Sequence, residues 1–146
     1  MPALTKPYEA YERPGLVTAY RMAAIKVFKG AALGVGADGF CRPLDPAVAG
    51  LKFIGVACET VDNAGGAAGA KTVNAAKAGS FVFKAAAGFT PAQADVAKEA
   101  HAASDWEAQA SASGLANAYK IGVITGLETS STGAAGVRIR IDNHTL

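Results

Sequence analysis

The chain has 146 residues and a net charge of +2, with 14 Lys and Arg against 12 Asp and Glu. That length fits one domain, and basic residues spread so thinly form no stripe to neutralise a run of phosphates, so nucleic acid is not an expected partner. The hydrophobic share is 51%, yet nearly half of it is Ala, which has little side chain to bury. The core should therefore be thin and a lone monomer marginally stable, completed by copies of itself or by a larger partner.

Residues 1–17 carry Pro2, Pro7 and Pro14 among Tyr8, Tyr11 and Leu16, a mixture that can neither continue a helix nor alternate as a strand. They read as an extended arm, and residues 18–146 as a single β-rich domain. The opening residues lack the basic-then-apolar pattern of a signal peptide, and no window of 18 residues is continuously apolar, so a soluble protein without a membrane segment is expected.

A β-compatible run begins at Thr18 and ends at Gly30. Shorter runs follow, each bounded by Gly, Pro, Asn or Asp: 33–35, 40–42, 51–61, 71–77, 80–83, 119–127 and 137–141. In the last run Val137, Ile139 and Ile141 alternate with Arg138, Arg140 and Asp142, the pattern of a strand with one face in a core. Thr90-Pro91-Ala92-Gln93 predicts the one helix, with Thr90 as cap, Pro91 at its first position and an end near Lys98. The Ala- and Ser-rich stretch 100–118 fits either weak strands or a loop. Short strands at this spacing predict an all-β fold with one short helix, a barrel or a sandwich.

An internal echo runs through the chain. Ile54-Gly55-Val56 recurs as Ile121-Gly122-Val123, and Gly66-Ala67-Ala68-Gly69 as Gly133-Ala134-Ala135-Gly136, both at the same offset; Lys71 and Arg138 share it. Two strand-loop-strand units of equal length are implied, against the alternative of two unrelated hairpins.

No constellation of reactive groups emerges. Gly34-Val35-Gly36-Ala37-Asp38-Gly39 fits G-x-G-x-x-G, but Pro43 follows where a phosphate-facing helix would have to run, and Asp38-Gly39 suits a hairpin turn. Gly65 to Thr72 misses the P-loop pattern because Ala70 stands in place of its second Gly, and its echo at 133–136 leads into a strand. His101 and His144 have no partner ligands at metal spacing, and Cys41 and Cys58 form no C-x-x-C pair. The two Cys read as small apolar residues, with one bridge between them as the lesser alternative. Asp62-Asn63 lacks the alternating ligands of a calcium loop. The expectation is a binding protein, not an enzyme, with no cofactor and no metal.

Tyr8, Tyr11, Trp106 and Tyr119 are candidates for contact, being aromatic with a polar tip. Trp106 and Tyr119 also suit a core, which is the preferred reading for both. The arm has no core pattern of its own, so Pro7, Tyr8, Tyr11, Pro14 and Leu16 are the candidate interface residues, docking as an added strand or a strap on a neighbour.

Several phrases resemble the capsid decoration proteins of tailed phages, also called head-stabilising or cement proteins. These are Ala24-Ile25-Lys26-Val27-Phe28-Lys29-Gly30, Gly39-Phe40-Cys41-Arg42-Pro43, Phe53-Ile54-Gly55-Val56-Ala57 and Glu59-Thr60-Val61-Asp62-Asn63. Tyr119-Lys120-Ile121-Gly122-Val123-Ile124 and Gly136-Val137-Arg138-Ile139-Arg140-Ile141-Asp142 complete a likeness spanning about residues 18 to 142. The resemblance implies a small β-barrel or tulip-like domain, with a jelly-roll sandwich as the alternative, in a virion structural protein made in the host cytoplasm and attached outside an assembled major-capsid shell. It further implies binding to the major capsid protein and to itself, as trimers at threefold positions or, in related cements, as dimers. It carries no shared site residues onto numbered positions. A tail or neck component is the alternative, and a nucleotide- or DNA-handling accessory protein a more distant one.

Overall fold

A computed structural model describes residues 16–142 and is nearly all β. A first sheet is built from β1 (Val17–Arg21), β3 (Ala32–Val35), β4 (Cys41–Pro43), β5 (Lys52–Ala57) and β7 (Thr72–Ala76), in the order β1-β7-β5-β3-β4. The short β2 (Lys26–Val27) and β6 (Val61–Asp62) pair beside it. The second half supplies β8 (Ala78–Ala85), β9 (Glu99–Ala102), β10 (Glu107–Gln109), β11 (Lys120–Thr129) and β12 (Ala135–Asp142), which close into a five-stranded barrel. An all-β small barrel, as expected, is the fold; the jelly roll is not the topology formed. Among the described residues no helix is long and apolar enough to cross a membrane.

The two sheets repeat one design. Going round the barrel, β8-β12-β11-β9-β10 reproduces the order β1-β7-β5-β3-β4. Register agrees as well: Leu33 faces Gly55 and Gly34 faces Phe53, skipping Ile54, while Ala100 faces Gly122 and His101 faces Lys120, skipping Ile121. The echoed Ile-Gly pair is thus a β-bulge placed identically in both halves. Parallel pairing of Glu107 with Lys84 and Ala108 with Ala85 closes the barrel, and the first sheet has the corresponding closure as a single parallel bridge, Met22 to Cys41.

The spacing between equivalents is not constant. Pairing makes Tyr20 equivalent to Phe83 and Val73 to Val137, and both pairs lie closer together in sequence than Ile54 and Ile121. The expectation of equal-length units is therefore corrected, since the connection before β7 is three residues longer than its counterpart before β12. Consequently Gly69, left-handed in a loop at φ +84°, does not match Gly136, which is buried inside β12, and Lys71 does not match Arg138.

Packing shows the same design filled differently. Leu33, Cys41, Ile54, Ala57, Val73 and Ala75 lie in the core of the first sheet. Their equivalents Ala100, Ala108, Ile121, Ile124, Val137 and Ile139 lie in the core of the barrel. Leu33 and Cys41 give way to Ala, while Ala57 and Ala75 give way to Ile, so bulk lost on two strands returns on the other two. Leu44, Leu51, Phe53 and Val56 of the first half join the barrel's apolar cluster and tie the halves together. Backbone bonds reinforce the joint: Ala32 N–H donates to the Asp105 carbonyl at 2.7 Å and Asn117 N–H to the Pro46 carbonyl at 3.0 Å.

Two readings of the second half change. The helix expected over 90–98 is only a 3-10 turn, Gln93–Asp95. Thr90 does not cap it; Asp95 accepts the Ala92 N–H at 2.8 Å and Lys98 Nζ at 2.8 Å. Ala97 then turns left-handed at φ 75° and is held there because its N–H donates to the Ile124 carbonyl at 2.8 Å. The undecided stretch 100–118 holds the end of β9 and all of β10, strands whose buried faces are Ala100, Ala102 and Ala108.

Candidate functional site

An apolar groove of about 530 Å³ lies where the two halves meet, between residues 28–31, the middle of β8, the 105–106 turn and the 130–132 turn. Its walls are large side chains left in water: Phe28 is 58% exposed, Trp106 46% and Val82 41%. Val82 faces out because β8 alternates about the buried Phe83. Trp106 is set by a serine turn: Ser104 Oγ accepts the Glu107 N–H at 3.1 Å and donates to Glu107 Oε1 at 3.1 Å.

Cations sit against both rings. Lys84 Nζ lies 5.3 Å from the centroid of Trp106 and bonds Glu107 Oε2 at 3.0 Å, across the strand pair that closes the barrel. Lys26 Nζ lies 4.7 Å from the centroid of Phe28. Asp105 lines the same groove, and burial, then the neighbouring Asp45 and Glu107, raise its carboxyl above the ordinary carboxylate value. The arrangement suits adsorption of an extended apolar or aromatic segment against ring faces flanked by ammonium groups.

Neither phosphate-loop look-alike has the helix such a site requires. The Gly34–Gly39 stretch is the β3–β4 hairpin, with Gly39 left-handed at φ +81°, and Asp38 accepts the Phe40 N–H at 3.0 Å and pairs with Arg42. The Phe40 amide first, then the Arg42 guanidinium, hold the Asp38 carboxyl below its ordinary value. The Gly65–Lys71 loop runs into strand β7, and Lys71 Nζ is committed to the Asp62 carbonyl at 2.7 Å. Asn63, not foreseen, organises that loop: it is 1% exposed and its amide donates to the Ala23 and Ala67 carbonyls, both at 3.0 Å.

Leu16, the one arm candidate among the described residues, is 74% exposed, and its carbonyl accepts the Lys77 N–H at 2.9 Å. Pro7, Tyr8, Tyr11 and Pro14 lie outside the described residues, as does His144. His101 is partly buried on β9 with Nδ1 lacking a hydrogen-bond partner. Cys41 is buried, Cys58 exposed and both are free, so no bridge joins them. Among the described residues no group of three or more His, Cys, Asp or Glu is placed to hold a metal ion. Trp106, read as core, is at the surface, whereas Tyr119 packs on the core and donates its hydroxyl proton to the Val48 carbonyl. Phe28 and Val82 were missed as groove walls; the only signal was a large apolar residue on the polar side of its strand pattern.

No family model matches the chain, and neither a curated protein nor a solved structure does.

Proposed function

We propose that the chain is a structural virion protein that binds the outer surface of an assembled major-capsid shell and stabilises it by bridging neighbouring capsomers. The observation that carries this reading is the distribution of large apolar side chains. Alanine fills much of the interior, while Leu16, Val17, Phe28, Val82 and Trp106 stand in water. A soluble chain that keeps such surface open gains most from a partner that covers it. The resemblance to phage decoration proteins names the partner, the major capsid protein, with self-association as trimers, or as dimers in the related form.

The role is stoichiometric binding, not catalysis, exercised on the virion exterior. A protein that binds only the expanded shell stabilises it by mass action, by about 2.7 kcal/mol per site at a hundred times Kd, and repeated contacts multiply a modest affinity. Purified protein should co-sediment with expanded shells at fixed stoichiometry and raise their disruption temperature. Failure to sediment with shells overturns the reading, and sedimentation with tails instead assigns the chain to a tail or neck.

A further inference from the structure

We propose that the groove walled by Phe28, Val82 and Trp106 is the seat for residues 1–15 of a second copy of this chain. Such a contact between copies needs no capsid shell, so its test and that of shell binding fail independently.

Three observations favour this occupant. The first is chemical type. The segment carries Pro2, Pro7 and Pro14 with Tyr8 and Tyr11, a composition of the kind that docks on aromatic walls in the polyproline II conformation. In that conformation, with about three residues per turn, Tyr8, Tyr11 and Pro14 share one face while Glu9 and Glu12 share the next. The second is charge. Lys26 Nζ stands over the Phe28 ring and Lys84 Nζ, already bonded to Glu107, over Trp106, so a bound segment would set its tyrosines against those rings and a carboxylate beside Lys26. The third is reach. Leu16 leaves the body at the surface, 74% exposed, and fifteen residues extend to at most about 50 Å. A segment given to a neighbour covers that neighbour's groove and leaves its own for another copy, a head-to-tail contact that closes into a ring where the rotation permits.

Trp106 is the sole tryptophan, so its emission reports the groove directly. In the chain of residues 1–146, acrylamide quenching of Trp106 should be weak at high concentration and rise on dilution, and a synthetic peptide of residues 1–16 added to the dilute protein should restore the shielding. The Tyr8→Ala/Tyr11→Ala double variant alters no residue of either sheet and should weaken self-association by about tenfold or more, as loss of two aromatic anchors implies. Phe28→Ala should do the same from the groove side with an unchanged circular dichroism spectrum. Quenching that does not vary with concentration overturns the proposal, whether Trp106 is exposed throughout or shielded in the isolated chain by its own arm. So does a double variant that sediments as the wild type.

Discussion

Cys41 stands in the first sheet's core where its equivalent in the barrel is Ala108. Burial pushes its thiol from the ordinary 9.0 up to about 12, the nearby Arg42 and Lys77 only partly opposing this. The folded state thus holds the proton more tightly than the unfolded state, so stability should fall as pH rises above about 9 and continue falling toward about 12. Cys41→Ala should flatten that slope, as denaturant titrations across this range will measure. A thiol reagent near neutral pH should label Cys58, which is exposed, and reach Cys41 only after unfolding. Treating both as inert apolar residues, as the sequence suggests, suits Cys41 and not Cys58. Spacing excludes a redox pair but says nothing about which thiol a strand buries and which is left in the bend beyond β5.

Strand β5 and strand β11 each turn on one glycine. Gly55 has φ +142° and Gly122 has φ +155°, conformations that L side chains rarely adopt, and a Cβ would press into the Ala76 carbonyl oxygen at one and the Arg140 carbonyl oxygen at the other. Alanine at either position should destabilise the fold by about 3 kcal/mol or more, strain and overpacking acting together, read as a lowered Tm. The Ile-Gly-Val echo was legible in the sequence, yet its cause, a bulge where two strands must approach closely, was not. Strands with alternating apolar residues, such as β12, were equally readable because their pattern is their burial. β9 and β10 were not, because Ala100, Ala102 and Ala108 carry little β preference and owe their strands to pairing with β8 and β11. The same override removed the helix over 90–98: local capping favoured it, but the bonds tying Ala97 and Lys98 to Ile124 end it after a single 3-10 turn. The groove was least legible of all, since it is assembled from four segments whose neighbourhood only the docking of the two halves creates.

At the scale of the whole molecule, five strands in one order and one register occur twice, joined through a shared apolar cluster. The halves differ mainly in their connections, with three extra residues before β7 and four extra between β8 and β9. Those are positions where the design already exists in two lengths without loss of register. The turn at Ala87-Gly88 is exposed and a side chain at Gly88 would meet nothing. A Gly- and Ser-flanked peptide inserted there should lower stability by less than about 1 kcal/mol, since loop closure grows only slowly with length. The same peptide between Ile54 and Gly55 should abolish folding, and thermal melts of the two variants will separate the cases. The longer loop before β7 is exposed at Ala64-Gly65, where a Cβ on Gly65 would meet nothing, and offers a second mounting point, so one chain can carry two foreign epitopes at a separation set by its own fold.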